Sequence, residues 1–259
     1  MKIIVAIKQV PDRESQVRID DSGKWIVESD LQYAMNEPDA HALEEALQLK
    51  EKSAAAGGEV VVLTAGRESA GTVIREALAK GADRAIHILC DDLATRDALS
   101  VARLLAAAVK EESPDLLLAG LQSEDLGYGQ TGVIVAELLG LPHATLILNV
   151  EKTDTGVRVK RELEEGWFQS IELPTPAVLT IQSGGNKIRY ATLMGIKRAK
   201  TKEVRPIAAS SLAADAGAVV VLDKISLPTK KKSTQMLAGT PKEAAAALVE
   251  KLRLEVHVL

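Results

Sequence analysis

Apolar positions recur along this chain with two periods, and the order of those periods predicts an architecture. Lys2 to Ile7 is a β-branched run, short and continuous enough for a buried parallel strand. Pro11 in Gln9-Val-Pro-Asp12 ends it, because proline cannot donate to a central ladder. Val17–Asp20 and Trp25–Val27 flank a turn at Asp21-Ser-Gly23 and predict a hairpin. From Asp39 to Lys50 the period becomes helical, with Leu43, Ala46, Leu47 and Lys50 on one face. Asp39, near the start, complements the positive end of the helix dipole. Glu59–Thr64 predicts a strand, Thr72–Ala79 a helix, Arg84–Leu89 a strand and Ala98–Lys110 a helix. Asp115–Ala119, Val133–Leu139 and Ala144–Val150 continue as strand, helix and strand. This alternation is the signature of a doubly wound, mostly parallel α/β sheet.

Past residue 150 the pattern changes. Gly156–Leu163 and Trp167–Leu173 alternate with period two and predict a hairpin at a sheet edge, followed by a strand at Ala177–Gln182. Ile188–Ile196 is flecked with apolar residues and leads into the basic stretch Lys197–Lys202. From Val204 to Gly239 only Ala218–Leu222 carries core patterning, among many Pro, Ser and Lys residues. A segment of that length without a core predicts an extended C-terminal arm lying on another subunit. The helix over Pro241–Leu252, with proline in its first turn, docks on a partner or folds back. The organisation predicted is therefore an α/β domain over 1–205 and an arm with a helix over 206–259.

Composition narrows the function classes. Aromatics make up 2% of the 259 residues, so aliphatic side chains must build the core, which suits sheets covered by helices. A net charge of −4 with mixed signs argues against nucleic acid as the main partner. The lone Cys90 excludes an internal disulfide and reads as a small core hydrophobe, and no Cys/His cluster has metal spacing. No apolar run is long enough to span a bilayer. Met1–Lys8 lacks a small-residue cleavage site and reads as a strand, which points to the cytoplasm, or to a matrix if the source is an organelle.

The chemistry concentrates in Ala119-Gly-Leu-Gln-Ser-Glu-Asp-Leu-Gly-Tyr-Gly-Gln-Thr-Gly132, between a predicted strand and a predicted helix. The unpaired N–H groups of a helix start and its dipole make such a loop an anion site. Glycines at 120, 127, 129 and 132 allow close backbone approach. Gln130 and Thr131 add neutral donors. The competing reading is an ordinary surface loop with a capped helix, and no P-loop or GxGxxG string decides the matter. In a doubly wound sheet, Ala6–Lys8, the Asn36 turn, Thr64–Gly66 and the loop from Gly120 to Thr131 all lie beyond the strands' carboxyl ends. Together they predict a nucleotide-sized crevice. Glu124 and Asp125, also in the loop, accept from sugar hydroxyls or loop donors and point away from any phosphate.

Several strings then resemble a known family: Val5-Ala-Ile-Lys8, Met35-Asn36, Gly81-Ala-Asp-Arg84, the Gly120–Gly132 loop, Val159-Lys-Arg-Glu-Leu-Glu-Glu-Gly166 leading to Leu173–Thr180, and Arg189-Tyr-Ala-Thr-Leu193. In unbroken order to about residue 205, they are similar to the β subunit of electron-transfer flavoproteins. The resemblance implies a heterodimer whose α subunit holds a redox-active FAD, while this chain binds a structural AMP and has no catalytic residues of its own. Carried over by position, Ala6, Asn36, Glu37, Pro38, Asp39 and Ala65 would line the nucleotide. Gly120, Leu121, Gln122, Ser123, Glu124, Asp125, Leu126, Gly127, Tyr128, Gly129, Gln130 and Thr131 would wrap it, with Gln130 and Thr131 on the phosphate.

The resemblance also implies that Arg189, Tyr190, Ala191, Thr192, Leu193, Met194, Gly195, Ile196, Lys197 and Arg198 dock acyl-CoA or related dehydrogenases, with Leu193 as anchor. From its neighbours alone Leu193 could equally be a buried edge residue. Electrons would then pass to a quinone oxidoreductase. A bifurcating subset of the family holds a second FAD in place of AMP. Leu126-Gly-Tyr-Gly-Gln-Thr-Gly-Val133 is closer to the AMP-type Gln-Thr-Gly, although Asp39 matches an acid that some bifurcating members show. A stand-alone nucleotide sensor or ATP hydrolase is the reading from another class, against which stand the missing P-loop lysine and the arm. Arg13 and Pro38 align with positions near the α-subunit flavin, where relatives carry aromatics. His41, His87, His143 and His257 are too scattered for a ligand set, Trp25 and Trp167 read as packing or interface anchors, and Lys230–Lys232 reads as a solvated stretch or a contact for an acidic partner.

Overall fold

A computed structural model describes residues 1–52, 57–212, 217–228 and 234–258. The runs predicted as buried strands form β1 (Lys2–Ala6), β4 (Glu59–Gly66), β5 (Arg84–Leu89), β6 (Leu116–Gly120), β7 (His143–Lys152) and β10 (Ala177–Ile181). With β8 (Gly156–Glu162), β9 (Phe168–Pro174) and β11 (Val204–Ala208) they make one nine-stranded sheet in the order β11-β5-β4-β1-β6-β10-β7-β8-β9. From β11 to β7 every neighbour is parallel. The antiparallel β8–β9 hairpin extends one edge from β7, as the period-two pattern predicts.

Helices cover both faces. α1 (Glu37–Lys52) and α2 (Gly71–Lys80) bury Leu43, Ala46, Leu47, Val73, Ile74 and Leu78 against Ile3, Val5, Val60 and Val62. On the opposite face α3 (Ala98–Glu112) and α4 (Thr131–Leu139) pack Leu104, Leu105, Val135 and Ala136 against Ile4, Val61, Leu63 and Leu117. Alternate residues of one strand thus feed two cores, which is why these strands read as continuous apolar runs. β1 lies between β4 and β6. The strand order runs outward from β1 to β5, then resumes on its other side with β6, so the chain reverses direction at the C-terminal ends of β1 and β6. Such a switch point opens a crevice.

Three expectations are corrected. The hairpin over 17–27 reduces to one antiparallel bridge, Ile19 with Ile26, because the Asp20 carboxylate binds Ser22 N and Oγ and tightens a local turn. Instead, β2 (Gln9–Pro11) pairs with β3 (Tyr33–Met35) in a separate two-stranded sheet. The chain after 204 first joins the main sheet, with β11 parallel to β5. Pro206 is tolerated there because β11 is an edge strand. The run Ala218–Leu222 is no core strand: Val219, Val220 and Val221 are exposed, and the N–H groups of Val219 and Val220 bind Asp97 Oδ2 at 2.8 and 2.9 Å.

Met1–Ile225 forms one compact unit and Ser226–Leu259 a second. Within the second, α6 (Pro241–Leu254) starts with Pro241 behind the N-cap Thr240, whose hydroxyl and Glu243 complete a reciprocal capping box. The run Lys230–Lys232 lies outside the described residues. Among the described residues no helix is long and apolar enough to cross a membrane. Cys90 is buried, and burial followed by the Asp92 hydrogen bond pushes its thiol up to about 11.

Ile4 is fully buried at the centre of the sheet, so Ile4→Ala is expected to lower unfolding free energy by about 3 kcal/mol. Val17→Ala, at an exposed position, should change it by less than about 0.5 kcal/mol. Urea denaturation of both variants reads the contrast, and equal losses would contradict this placement of the core.

Candidate functional site

At the reversal point, β1 ends in Ala6 and β6 in Gly120, and both strands face the first turn of α1. Asp39, buried in that turn, accepts Lys8 N through Oδ2 and Gly120 N through Oδ1, each at 2.8 Å. One carboxyl group therefore ties the exits of two adjacent strands to one helix. Its predicted part, complementing its own helix dipole, is secondary to this cross-strand contact. A Cβ on residue 120 would meet Asp39 Oδ1 at 2.3 Å and Pro38 Cβ at 2.7 Å. Only glycine fits there.

Asn36 makes the second tie. Its Nδ2 donates to Gln122 O at 3.0 Å and its Oδ1 accepts Glu124 N at 3.0 Å, so the side chain reads the backbone of the 121–130 loop from across the crevice. The loop is further closed by Leu121 N to Ile181 O and Gly127 N to Ser123 O, both 2.9 Å. Gly127 and Gly129 hold φ of +66° and +63°, a region costly for other residues. Leu126 and Tyr128 are exposed on its outer side. Ala6 and Ala65 lie at strand ends, half-buried and packed toward the α3/α4 core.

The loop delivers the chain to α4. Gln130 is the N-cap and its side chain makes no capping hydrogen bond; Ile134 N bonds Gln130 O at 3.0 Å, which leaves the N–H groups of Thr131, Gly132 and Val133 ahead of the helical ladder. Gly132 lies close against β10: a Cβ there would meet Thr180 Cγ2 at 2.6 Å. The loop's acids are already paired. Lys8 Nζ donates to Asp125 Oδ1 at 2.7 Å and to Ser123 Oγ at 3.3 Å. Arg13 bridges Glu37 and Glu124. Burial first raises the Asp125 carboxyl, but Lys8 offsets this and holds it below the usual carboxylate range. A helix start without a side-chain cap beside compensated carboxylates is an arrangement with the chemistry to accept an anion.

The segment 189–198 has a different character. Thr192 caps α5 (Leu193–Ala199) by accepting Gly195 N at 3.0 Å. Tyr190 and Leu193 are 91% and 87% exposed, and Met194 and Ile196 are exposed beside them. The alternative of Leu193 as a buried edge residue is thereby excluded for this chain. Ala191 and Gly195 are half-buried, while Lys197 and Arg198 reach solvent.

Sequence reasoning missed the polar network that leads into this segment. His41, Glu44 and Glu45 are buried on α1. His41 Nδ1 is 2.8 Å from Asn186 Oδ1, and Asn186 Nδ2 donates to Glu45 Oε2 at 2.9 Å. Arg189 Nε donates to Glu44 Oε2 at 2.8 Å. Burial raises the Glu44 carboxyl, and the hydrogen bonds from Arg189 and Gln48 more than offset it, leaving it below the usual range. The signal was present in His41, Glu44 and Glu45 sharing one face of a helix that must also bury Leu43 and Leu47. Lys8 and Arg13, as partners of the loop acids, carried no such signal.

Burial pushes the Asp39 carboxyl up to about 7, partly offset by hydrogen bonds from Lys8, Asn36 and Gly120. In the unfolded chain an aspartate titrates near about 4. Between about 4 and about 7 the folded state therefore holds the extra proton, and stability falls as pH rises through that window. Wild type should lose stability relative to Asp39→Asn from pH 5 to pH 7 and run parallel to it above pH 8. Urea denaturation at these pH values reads the difference, and curves parallel throughout would contradict the buried acid.

The electron transfer flavoprotein domain model matches residues 24–212. An electron transfer flavoprotein subunit beta from Methylophilus methylotrophus is 40% identical over 258 residues, covering 96% of this chain and 97% of the relative. The subunit beta of Bacillus subtilis (strain 168) is 36% identical over the full length of both chains. The mitochondrial subunit beta of Oryza sativa subsp. japonica is likewise 36% identical, again over 100% of each. The domain match covers the 36–39 turn, the 120–132 loop and the exposed 189–198 segment, and the likeness to the relatives runs end to end: the chain belongs to the electron transfer flavoprotein family, among its β subunits.

Proposed function

We propose that this chain is the nucleotide-holding and docking half of a heterodimeric electron carrier. Its partner is an α subunit that holds the redox-active FAD. The crevice takes an AMP with a structural role, and a dehydrogenase of the acyl-CoA or a related type docks at 189–198. Electrons leave the heterodimer for a quinone oxidoreductase. The flavin, when bound, supplies the electron-accepting chemistry; this chain's residues bind, orient and shield.

The uncapped start of α4 at the switch point is the observation that carries the nucleotide reading. A phosphate there meets main-chain N–H groups, Gln130 and Thr131, with no lysine required. Pairing of Asp125 with Lys8 and of Glu124 with Arg13 removes the repulsion that two free carboxylates would exert on it. Asp39 has both oxygens engaged by Lys8 and Gly120, so it shapes the crevice and leaves recognition to its neighbours. The same feature favours AMP over a second FAD: the loop's Gln130-Thr131-Gly132 lies at the helix start, and Asp39 is committed to the backbone.

The exposed Leu193, flanked by Tyr190 and Met194 and followed by Lys197 and Arg198, suits a transient contact in which one apolar anchor gives modest affinity and fast release. Val219, Val220 and Val221 at the end of the first unit, and separately Leu227 and Met236 in the second, are exposed apolar groups of the kind an α subunit would cover.

Ligands released by denaturing the purified heterodimer and quantified by mass spectrometry test the proposal. One FAD and one AMP per heterodimer are expected. Two FADs would replace the AMP reading with the bifurcating one, and a colourless preparation would contradict an electron carrier.

A further inference from the structure

We infer that Arg189 is a positioning residue: gripped by Glu44 and Glu51 of α1, it fixes the height and direction at which Tyr190–Ile196 is presented to a partner. The inference rests on the docking reading of that segment and adds to it the device that holds the segment in place.

The grip is unusually well tied for the base of a surface segment. Arg189 uses its backbone N (3.2 Å), Nε (2.8 Å) and Nη2 (3.1 Å) on Glu44, and Nη1 (2.5 Å) and Nη2 (3.1 Å) on Glu51. Glu44 is only 4% exposed. A buried carboxylate of this kind demands a fixed cation, and a guanidinium held by two carboxylates cannot swing as a lysine could. Just upstream, Gly184 N donates to His41 Nε2 at 3.3 Å, and Asn186 Nδ2 donates to His41 O at 3.1 Å and to Glu45. Glu45 in turn accepts Val150 N at 2.8 Å, locking the helix to the sheet.

A second anchor runs from Gly195 to Lys202, on α2 and the turn that follows it. A Cβ at Gly195 would meet Ala79 O at 2.2 Å. Lys202 Nζ donates to Leu78 O at 3.0 Å and to Ala82 O, and Arg75 Nη1 donates to Ala199 O at 2.7 Å. α1 and α2 share one core against the same sheet face. The stretch is therefore held at Arg189 and again from Gly195 onward, while the side chains of Tyr190, Leu193, Met194 and Ile196 stay in solvent. Holding a contact in its bound shape before encounter reduces the ordering cost of association. The second anchor alone leaves the Tyr190 end free, which is why Arg189 carries the orientation.

The test is steady-state reduction of the purified α/β heterodimer by a cognate acyl-CoA dehydrogenase with its acyl-CoA substrate. The Arg189→Gln/Glu44→Gln pair is the main variant, since removing both charges leaves no unpaired buried carboxylate to unfold the helix. The KM for the heterodimer is expected to rise about tenfold, with kcat, flavin absorbance and AMP content unchanged. Trypsin should cleave after Lys197 and Arg198 faster than in wild type. Arg189→Lys should recover part of the KM. Leu193→Ala serves as the control for docking itself. If Leu193→Ala raises KM while the Arg189/Glu44 variant leaves both KM and proteolysis unchanged, the positioning inference is overturned and docking stands. If kcat and flavin content fall while KM rises, Arg189 is merely structural and the inference is again overturned. If Leu193→Ala leaves KM unchanged, the docking reading fails and takes the inference with it.

Discussion

Two main-chain N–H groups on neighbouring strands converge on one buried carboxyl group. Asp39 accepts from Lys8 beyond β1 and from Gly120 at the end of β6, and the crevice between those strands has the shape that this contact imposes. The contact also explains two sequence constraints at once. Residue 120 must lack a side chain because the carboxyl occupies its Cβ space, and residue 39 must be an acceptor because burial leaves the two N–H groups no other partner. A group desolvated to this degree favours its protonated form, and only the converging donors temper that preference. The crest of the sheet is thus held by a titratable contact, with helix α1 as its rigid support.

α1 serves a second purpose further along its length. Its start shapes the crevice through Asn36, just ahead of the helix, and Asp39 in its first turn, and its next turns grip the stem of the exposed segment through His41, Glu44 and Glu45. A helix normally spends one face on the core and gives the rest to solvent. Here His41, Glu44 and Glu45 are polar and buried, and each has a partner from the 184–189 stretch or from β7. The same helix therefore serves as a common reference frame for the crevice and the exposed segment.

Much of this was legible from residues alone. Ile3–Val5, Val60–Leu63 and Leu116–Leu118 are apolar on both alternations, and both faces of the sheet are indeed covered. The loop at 120–132 was legible because its glycines lie between a strand and a helix. Strand β11 was not, since Pro206 argues against a central strand and only an edge position, unknown from sequence, makes it acceptable. Val219–Val221 misled in the opposite sense: a β-branched run promises burial, and within this chain it has none. The clamp around Arg189 was hidden because charged residues are assigned to solvent by default. Its partners are separated by more than a hundred positions, so only the fold brings them together.

The central claim is that the start of α4 and the loop before it take the phosphate of an adenylate on their main chain. Hydrogen exchange of the heterodimer, stripped of nucleotide and then supplied with AMP, tests it most directly. Amides from Gly120 to Val133 should exchange at least about tenfold more slowly with AMP bound, while 190–198 should show little change. Unaltered exchange across 120–133 at saturating AMP, or protection confined to another part of the sheet, would contradict the account.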